Sequence, residues 1–190
     1  MSRNKKSCYV IMIAQKFLKG HRRAGQETDF ESFVVSGNKK TTIRGNYSLW
    51  LKRFQKIQAD QAYISLRKWS GKPYRSKQIE IKQLHKSDGI GLEKLVISSI
   101  GAIVNNCKTV APFVQVDDYD LALNDGLGLM DFQSWFAGYD LTDPMAIIHF
   151  TPFRYYREKC AACKGECKPC PKGEGAERSA SSFLNSKSIL

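Results

Sequence analysis

The stretch Gly37-Asn38-Lys39-Lys40-Thr41-Thr42-Ile43-Arg44 joins a glycine, two lysines, a β-branched run and an arginine. Glycine permits a tight turn, and the β-branched residues after it favour an extended strand. Because alternate residues of a strand point to opposite faces, Thr42 and Arg44 share one face. With Lys39 just before them, an ammonium, a hydroxyl and a guanidinium would face one spot, which suits an oxygen-rich ligand such as a nucleotide. The alternative is a turn and a strand whose cations are solvated.

Short helices and strands are predicted on both sides of this stretch. Thr28 and Glu31 form a capping-box pattern before an apolar stripe, which predicts a helix that ends near Ser36 and Gly37. The apolar run 8–14 predicts a buried strand, with Cys8 in the core. Further strands are predicted at 62–69, 78–84, 92–103 and 145–150, and amphipathic helices at 47–57 and 129–136.

Two basic segments flank the predicted elements. The first, Lys16–Gly25, is called the basic loop below, and it contains Lys19, Arg22 and Arg23. It is interpreted either as a flap that contacts phosphates or as an ordinary exposed loop.

The second basic segment is the predicted turn between the strands 62–69 and 78–84, called the basic hairpin below. It interleaves cations with aromatic residues, namely Arg67, Trp69, Lys72, Tyr74 and Arg75. Such mixing is typical of a groove that tracks a nucleic-acid backbone and stacks a base. The alternative is that the charges protect a sheet edge from aggregation.

Charge points to a polyanionic partner. The 190-residue chain has a formal net charge of +12, and residues 159–190 hold only six of its 30 Lys and Arg and three of its 18 Asp and Glu. The predicted folded part is therefore basic itself, which favours nucleic acid as a partner. Apolar runs are of strand length, so no membrane span is predicted, and the N-terminus lacks a signal-peptide pattern. We expect a cytoplasmic protein with one domain and an appendage.

The pattern Gly-x-Lys-x-x-Thr-x-Arg at 37–44 resembles the signature of the ASCH superfamily, whose small β-barrels are related to the PUA domain. The segments 28–44, 65–81 and 124–150 also look like ASCH proteins of phages and bacteria, so the resemblance covers most of residues 8–155. It implies an α+β fold, namely a PUA-like mixed β-barrel with short flanking helices. The implied organisation is a flexible basic N-terminus (1–7), the ASCH domain (8–156), a Cys-rich segment (157–172) and a disordered tail (173–190).

The resemblance also implies site residues. Threonine within the signature is the form seen in small bacterial amidohydrolases that act on acetylcytidine, where a lysine, a threonine and a glutamate form the working triad. Carried over to this chain, the lysine is Lys39, the threonine is Thr42, and the carboxylate is Asp125, one methylene shorter than glutamate. Asp88 lies in a similar local pattern but too far before the last strand. Arg44 matches the arginine of the signature.

Four functions follow from these observations. The preferred function is binding of RNA or a nucleotide in a basic cleft built from Gly37, Lys39, Thr42, Arg44 and the basic hairpin. The first alternative is removal of an acyl group from an acetylcytidine-type nucleoside by Lys39, Thr42 and Asp125. A ribonuclease and a phage-encoded protein-binding module are the remaining alternatives, since a fold does not determine a function. No cofactor is expected for the main domain.

The C-terminal segment carries its own motif. Cys160, Cys163, Cys167 and Cys170 are spaced C-x2-C-x3-C-x2-C. Paired C-x-x-C steps are ordinary zinc spacing, although the central gap is shorter than in zinc ribbons or fingers. One interpretation is a small zinc site, with an iron–sulfur cluster as a variant. The other is an unstructured, redox-sensitive tail, since disulfides do not persist in a reducing compartment.

Overall fold

The computed structural model describes residues 5–98, 101–106 and 113–155. Within these ranges the α-helices are α1 (Phe30–Ser36), α2 (Tyr47–Gln58), α3 (Asp118–Asn124) and α4 (Leu129–Phe136). The strands are β1 (Ser7–Met12), β2 (Thr41–Arg44), β3 (Ala62–Trp69), β4 (Gln78–Leu84), β5 (Gly91–Ser98), β6 (Gly101–Asn106), β7 (Phe113–Val116) and β8 (Met145–His149). No helix of the described ranges combines the length and apolarity that a bilayer span requires.

The described strands pair into two sheets. In the smaller sheet, of order β1-β3-β4, β1 runs parallel to β3 and β4 runs antiparallel to it. The larger sheet has the order β2-β8-β5-β6-β7 and is antiparallel throughout. The predicted α+β class is confirmed. The strand pairings of the described residues do not close into a barrel.

The interior strand β8 organises the larger sheet. It pairs with β2 on one side and β5 on the other, and all five of its residues are buried. A strand buried on both faces reads as a continuous apolar run, which is why 145–150 was recognisable from sequence. Helix α2 buries Trp50, Phe54 and Ile57, which recur at helical spacing along one face. The predicted bounds of β3 and β4 are confirmed.

The predicted capping box does not form. Helix α1 begins at Phe30, and its N-cap is Asp29. The Thr28 hydroxyl instead donates to the carbonyl of Ala14 at 2.6 Å. The Glu31 carboxylate accepts from Lys68 Nζ on β3 at 2.6 and 2.7 Å. Glu31 is therefore bonded to a distant partner, whereas the Thr28 hydroxyl donates to Ala14 and also accepts from the Phe30 N–H at 3.4 Å, without the reciprocal bonds of a capping box.

The prediction of a buried first strand is wrong. Within β1 only Ile11 is buried, and Cys8 is exposed. The reason is that β1 lies at the edge of the three-stranded sheet, where much of its surface faces solvent. An apolar run alone does not distinguish an edge strand from a central one.

Two other regions differ from the prediction. The segment 92–103 is not one strand, because β5 and β6 form an antiparallel pair that begins with Ser98 opposite Gly101. The acidic residues around 117–120 belong to α3, whose N-cap Asp117 accepts a hydrogen bond from the Tyr119 backbone N–H at 2.7 Å. In the sequence, Asp117, Asp118 and Asp120 form a locally acidic patch without the spacing of a calcium loop, and because carboxylates favour a helix N-terminus the patch is a helix signal. The stretch 105–112, whose sequence predicts a loop, begins inside β6, and residues 107–112 lie outside the described residues.

Gly37 is expected to be the more sensitive of two glycines that flank β2. Gly37 caps α1 with a left-handed φ of 81°, whereas Gly45 lies outside that region, and a Cβ at either position would meet nothing within 4 Å. We expect Gly37→Ala to lower the free energy of unfolding by about 1 kcal/mol, because alanine is strained at positive φ. Gly45→Ala should change it by less than about 0.5 kcal/mol. Urea denaturation measures both, and equal effects would contradict the assigned backbone conformation.

Candidate functional site

A cleft of about 230 Å³ contains the side chains that the signature predicted. Lys39, Thr42, Arg44 and Asp125 all line it, although Asp125 is far from the others in sequence. The remaining lining residues are Met12, Ile13, Ala14, Leu18, Phe30, Ile43, Gly45, Trp135, Phe136, Tyr139 and Met145. The cleft is smaller than the roughly 300–1,000 Å³ of pockets for drug-sized ligands, so it suits a single ring-sized group.

Lys39 and Asp125 form a buried ion pair at the cleft. Lys39 Nζ donates to Asp125 Oδ1 at 2.7 Å and also to the Asp125 backbone carbonyl. Their side chains are only 2% and 8% exposed. The ammonium also lies 4.2 Å from the centre of the Phe30 ring, a cation–π contact.

Backbone hydrogen bonds bring this pair together. The Lys39 N–H donates to the carbonyl of Phe33 in α1 at 2.9 Å, and the Lys40 N–H donates to that of Asn124 at 2.8 Å. Asp125 is the C-cap of α3 and donates its N–H to Leu121 O. The ends of α1 and α3 are therefore joined beside the start of β2, which places the amine against the carboxylate.

Burial shifts the pKa of both side chains in the pair. Desolvation lowers the pKa of Lys39, and the attraction of Asp125 opposes that shift. Desolvation likewise raises the pKa of Asp125, against the influence of Lys39 and Arg44. Burial therefore favours the neutral form of each group more than water would, and perturbed pairs of this kind are frequent at functional sites.

Thr42 presents a hydroxyl that is not used by the fold. Its residue is 2% exposed, and among the described residues no group forms a hydrogen bond with Oγ1. Thr42 lines the cleft directly, but it has no hydrogen bond with Lys39 in this structure. A hydroxyl that lines the cleft without a partner among the described residues is available to bond a ligand or water there.

Arg44 is held by backbone carbonyls. Nη1 donates to Ile43 O at 2.9 Å, and Nη2 donates to Met12 O at 3.2 Å, which links β2 of the larger sheet to β1 of the smaller one. A guanidinium has five N–H donors, so donors are left over for a ligand. Among the described residues Arg44 forms no ion pair with a carboxylate. With Lys39 and Asp125 balancing each other, the charged residues that line the cleft carry one excess positive charge.

Aromatic side chains form the walls of the cleft, and sequence reasoning missed them. The Phe30 and Trp135 ring centres lie 5.6 Å apart, and those of Phe136 and Tyr139 lie 5.3 Å apart. In the sequence, Trp135 and Phe136 belong to the apolar stripe of a predicted helix, which gives the same signal whether the stripe faces a core or a cleft.

The basic hairpin is a separate feature. None of Arg67, Trp69, Lys72, Tyr74 and Arg75 lines the cleft. Arg67 donates to Ser65 Oγ at 2.8 Å and lies 3.9 Å from Glu80 Oε2. At the tip, Tyr74 is 90% exposed, adopts a left-handed φ of 63°, and packs against Trp69 with ring centres 5.4 Å apart. The predicted single groove is therefore a cleft and a distinct basic, aromatic surface.

Three other predictions concern residues away from the cleft. Gly37 does not line it and acts as the cap of α1. Asp88 accepts a hydrogen bond from the His85 N–H at 2.7 Å, so the structure places Asp125 and not Asp88 beside Lys39. Within the described ranges, no group of three or more His, Cys, Asp or Glu side chains is arranged to hold a metal ion. The four clustered cysteines, Cys160, Cys163, Cys167 and Cys170, lie outside those ranges.

Comparison of the chain with protein-family models, curated proteins and solved structures found no match. The ASCH assignment therefore stays a proposal that depends on the residues themselves.

Breaking the buried pair on one side should be costly. We expect Lys39→Met or Asp125→Leu to lower the free energy of unfolding by about 3–5 kcal/mol each, because the remaining group is buried without its partner. The double variant should recover most of the loss. Urea denaturation of the three variants measures the coupling.

The Glu31–Lys68 pair provides the control, since its side chains are 35% and 25% exposed. Lys68→Met should cost less than about 1 kcal/mol. Additive losses in the Lys39→Met/Asp125→Leu variant would show that the two side chains do not depend on each other.

Proposed function

We propose that the cleft binds a nucleobase of a nucleotide or of RNA. The observation that carries this proposal is the convergence of Lys39, Thr42, Asp125 and Arg44 at the base of one cleft with aromatic walls. A planar ring is attracted to aromatic faces, and base–aromatic stacking is worth about 1–3 kcal/mol. The exocyclic oxygens and amino groups of a base require donors and acceptors at its edge, and these four side chains supply both.

The electrostatics of the cleft favour an oxygen-rich ligand. Arg44 retains N–H donors, and the Thr42 hydroxyl both donates and accepts. Asp125 supplies an acceptor for an amino group, although its Oδ1 is already bonded to Lys39. A base that carries a carbonyl beside an amino group, as cytosine does, would match this set.

We also propose that the chain is a PUA-like, ASCH-type domain. The signature residues support this, since Lys39, Thr42 and Arg44 line one cleft as the resemblance implied. The two-sheet α+β architecture is compatible with a barrel-related fold.

In this proposal the basic hairpin contacts RNA outside the cleft. Lys72 and Arg75 are exposed beside the Trp69–Tyr74 pair. Cations next to exposed aromatics suit a single strand, because the cations follow the phosphates while the rings stack on bases.

RNA affinity should depend steeply on salt. For a short single-stranded RNA, we expect log K to fall linearly with log[salt], with a slope of about −0.7 per phosphate contacted. The double variant Lys72→Gln/Arg75→Gln should reduce the magnitude of that slope by about 1.4, since two contacts are lost. Fluorescence anisotropy over a salt series measures it.

A double variant on α2 is the control. Lys52 and Lys56 are exposed on that helix, and Lys52→Gln/Lys56→Gln should leave the slope unchanged. A flat salt response of the wild-type protein, or no binding at low salt, would count against RNA recognition.

A second candidate function is hydrolysis of an acylated amino group on a cytidine-type nucleoside. The observation that favours it is a Thr42 hydroxyl without a hydrogen-bond partner among the described residues, in the same cleft as a lysine whose pKa burial lowers. In this reaction Thr42 Oγ1 would attack the acyl carbon as its proton passes to a neutral Lys39 amine. Arg44 would stabilise the oxyanion, the nucleoside amine would leave with a proton, and water would then cleave the acyl-threonine ester.

Thr42→Ala should abolish acetyl release from acetylcytidine if the chain is this enzyme. We expect a loss of at least about a hundredfold, because the variant lacks the nucleophile of the reaction. Thr42→Ser keeps the hydroxyl and should retain much of the activity. The rate should also fall as pH drops, because protonation of Lys39 removes the base. An unchanged product trace in Thr42→Ala would exclude this mechanism, and circular dichroism checks that the fold is intact.

A further inference from the structure

The basic loop is fixed to helix α4 beside the cleft. The Arg22 backbone N–H donates to Ser134 Oγ at 3.0 Å. Arg23 Nη1 donates to Asp131 Oδ2 at 3.0 Å, and Arg22 Nε lies 3.5 Å from Asp131 Oδ1. The loop is therefore a preformed surface and does not need to be ordered by a ligand.

His21 is a structural part of this attachment. It is 8% exposed and stacks on Phe17 with ring centres 4.2 Å apart. Its Nδ1 accepts from the Arg23 N–H at 3.0 Å, so Nε2 carries the proton that is donated to the Asp131 carbonyl at 2.9 Å. These bonds use both ring nitrogens, so neither is left for a ligand.

A second cavity of about 200 Å³ lies between this loop and the end of α4. It shares Leu18, Trp135 and Tyr139 with the cleft, so the two spaces adjoin along that wall. Its other lining residues are Lys19, Gly20, His21, Ser134, Ala137 and Gly138. A ligand whose ring occupies the cleft could extend a substituent past Trp135 into this space.

The second cavity is positively charged. Lys19 is the charged residue among those that line it, and no carboxylate belongs to that set. Within the described residues Lys19 has no ion-pair partner, whereas Lys16 is 3.4 Å from Glu27. Ser134 Oγ accepts from Arg22, and its own hydroxyl hydrogen has no acceptor among the described residues. An ammonium and a free hydroxyl donor that line one cavity suit a phosphate group.

We propose that this second cavity is a phosphate subsite for the nucleoside unit whose base occupies the cleft. The inference rests on the proposed function and makes it more specific, since the ligand is a nucleotide and not a free nucleoside. The phosphate is terminal in a mononucleotide and internal in RNA. Lys19 neutralises it and Ser134 donates to it, while the attachment of the loop to Asp131 holds both groups in place.

Calorimetry with three probes tests the subsite in the full chain. Cytidine, cytidine 5′-monophosphate and the dinucleotide CpC share a base and differ in the phosphate. We expect at least one phosphorylated probe to bind about fivefold or more tightly than cytidine, as one exposed charge pair allows. If cytidine 5′-monophosphate binds more tightly than cytidine, the ligand is a mononucleotide. If only CpC binds more tightly, the ligand is RNA. Equal affinities for all three probes would overturn the subsite.

Two lysine variants make the test specific. Lys19→Gln should remove most of the gain and leave cytidine affinity unchanged. Lys16→Gln is the matched control, because Lys16 is a lysine of the same loop that lies outside the cavity, and it should change neither value. If Lys19→Gln still binds the phosphorylated probe more tightly than cytidine, the assignment of Lys19 to the phosphate subsite is wrong.

Binding of inorganic phosphate tests the subsite independently of the proposal that the cleft binds a base. In ¹H–¹⁵N spectra, phosphate should shift the amide signals of Gly20, His21 and Ser134 in the wild type but not in Lys19→Gln. Shifts spread over all exposed lysines would overturn the subsite. A local response without cytidine binding keeps the subsite and overturns the base-binding proposal, whereas cytidine binding without any phosphate gain overturns the subsite alone.

Discussion

The buried bond between Lys39 and Asp125 is the constraint on which the rest of the site depends. It joins residues 86 positions apart and holds the ends of α1 and α3 against the start of β2. Taking two charges out of water is expensive, and well-packed apolar residues often stabilise a core as well or better. Stability alone therefore does not explain the pair, whereas the binding and proton-transfer roles proposed for the cleft would require it.

Local sequence patterns predicted the elements whose contacts are themselves local or repetitive. Apolar and polar residues alternate along β3 and β4, and the apolar residues of α4 recur at helical spacing. Both patterns are present in the sequence whichever element packs against them. The failures involve distant partners. Glu31 bonds to Lys68 on β3 and does not cap α1. The edge position of β1 depends on which strands pair with β3, and the apolar run itself contains no information on that pairing.

The polar residues of the site could be predicted, but its shape could not. Lys39, Thr42 and Arg44 follow from one octet, and Asp125 follows from a resemblance that spans much of the chain. The walls come from α1 and α4, where an aromatic residue facing a cleft looks the same in sequence as one facing a core. The basic hairpin carries the composition of a nucleic-acid surface, yet none of its residues lines the cleft, and no pattern within the hairpin predicts that separation.

Binding and hydrolysis demand different things from the same side chains. Binding needs no rearrangement, since Thr42 and Arg44 already have hydrogen-bonding capacity left in a cleft with aromatic walls. Hydrolysis needs Lys39 to release a proton and to approach Thr42, while its ammonium is bonded to Asp125 twice. The shifted pKa values of the pair reduce the cost of that redistribution, because burial disfavours both charges. If the proposed functions hold, binding of a base needs no change in the cleft, whereas hydrolysis requires a ligand that draws Lys39 away from Asp125.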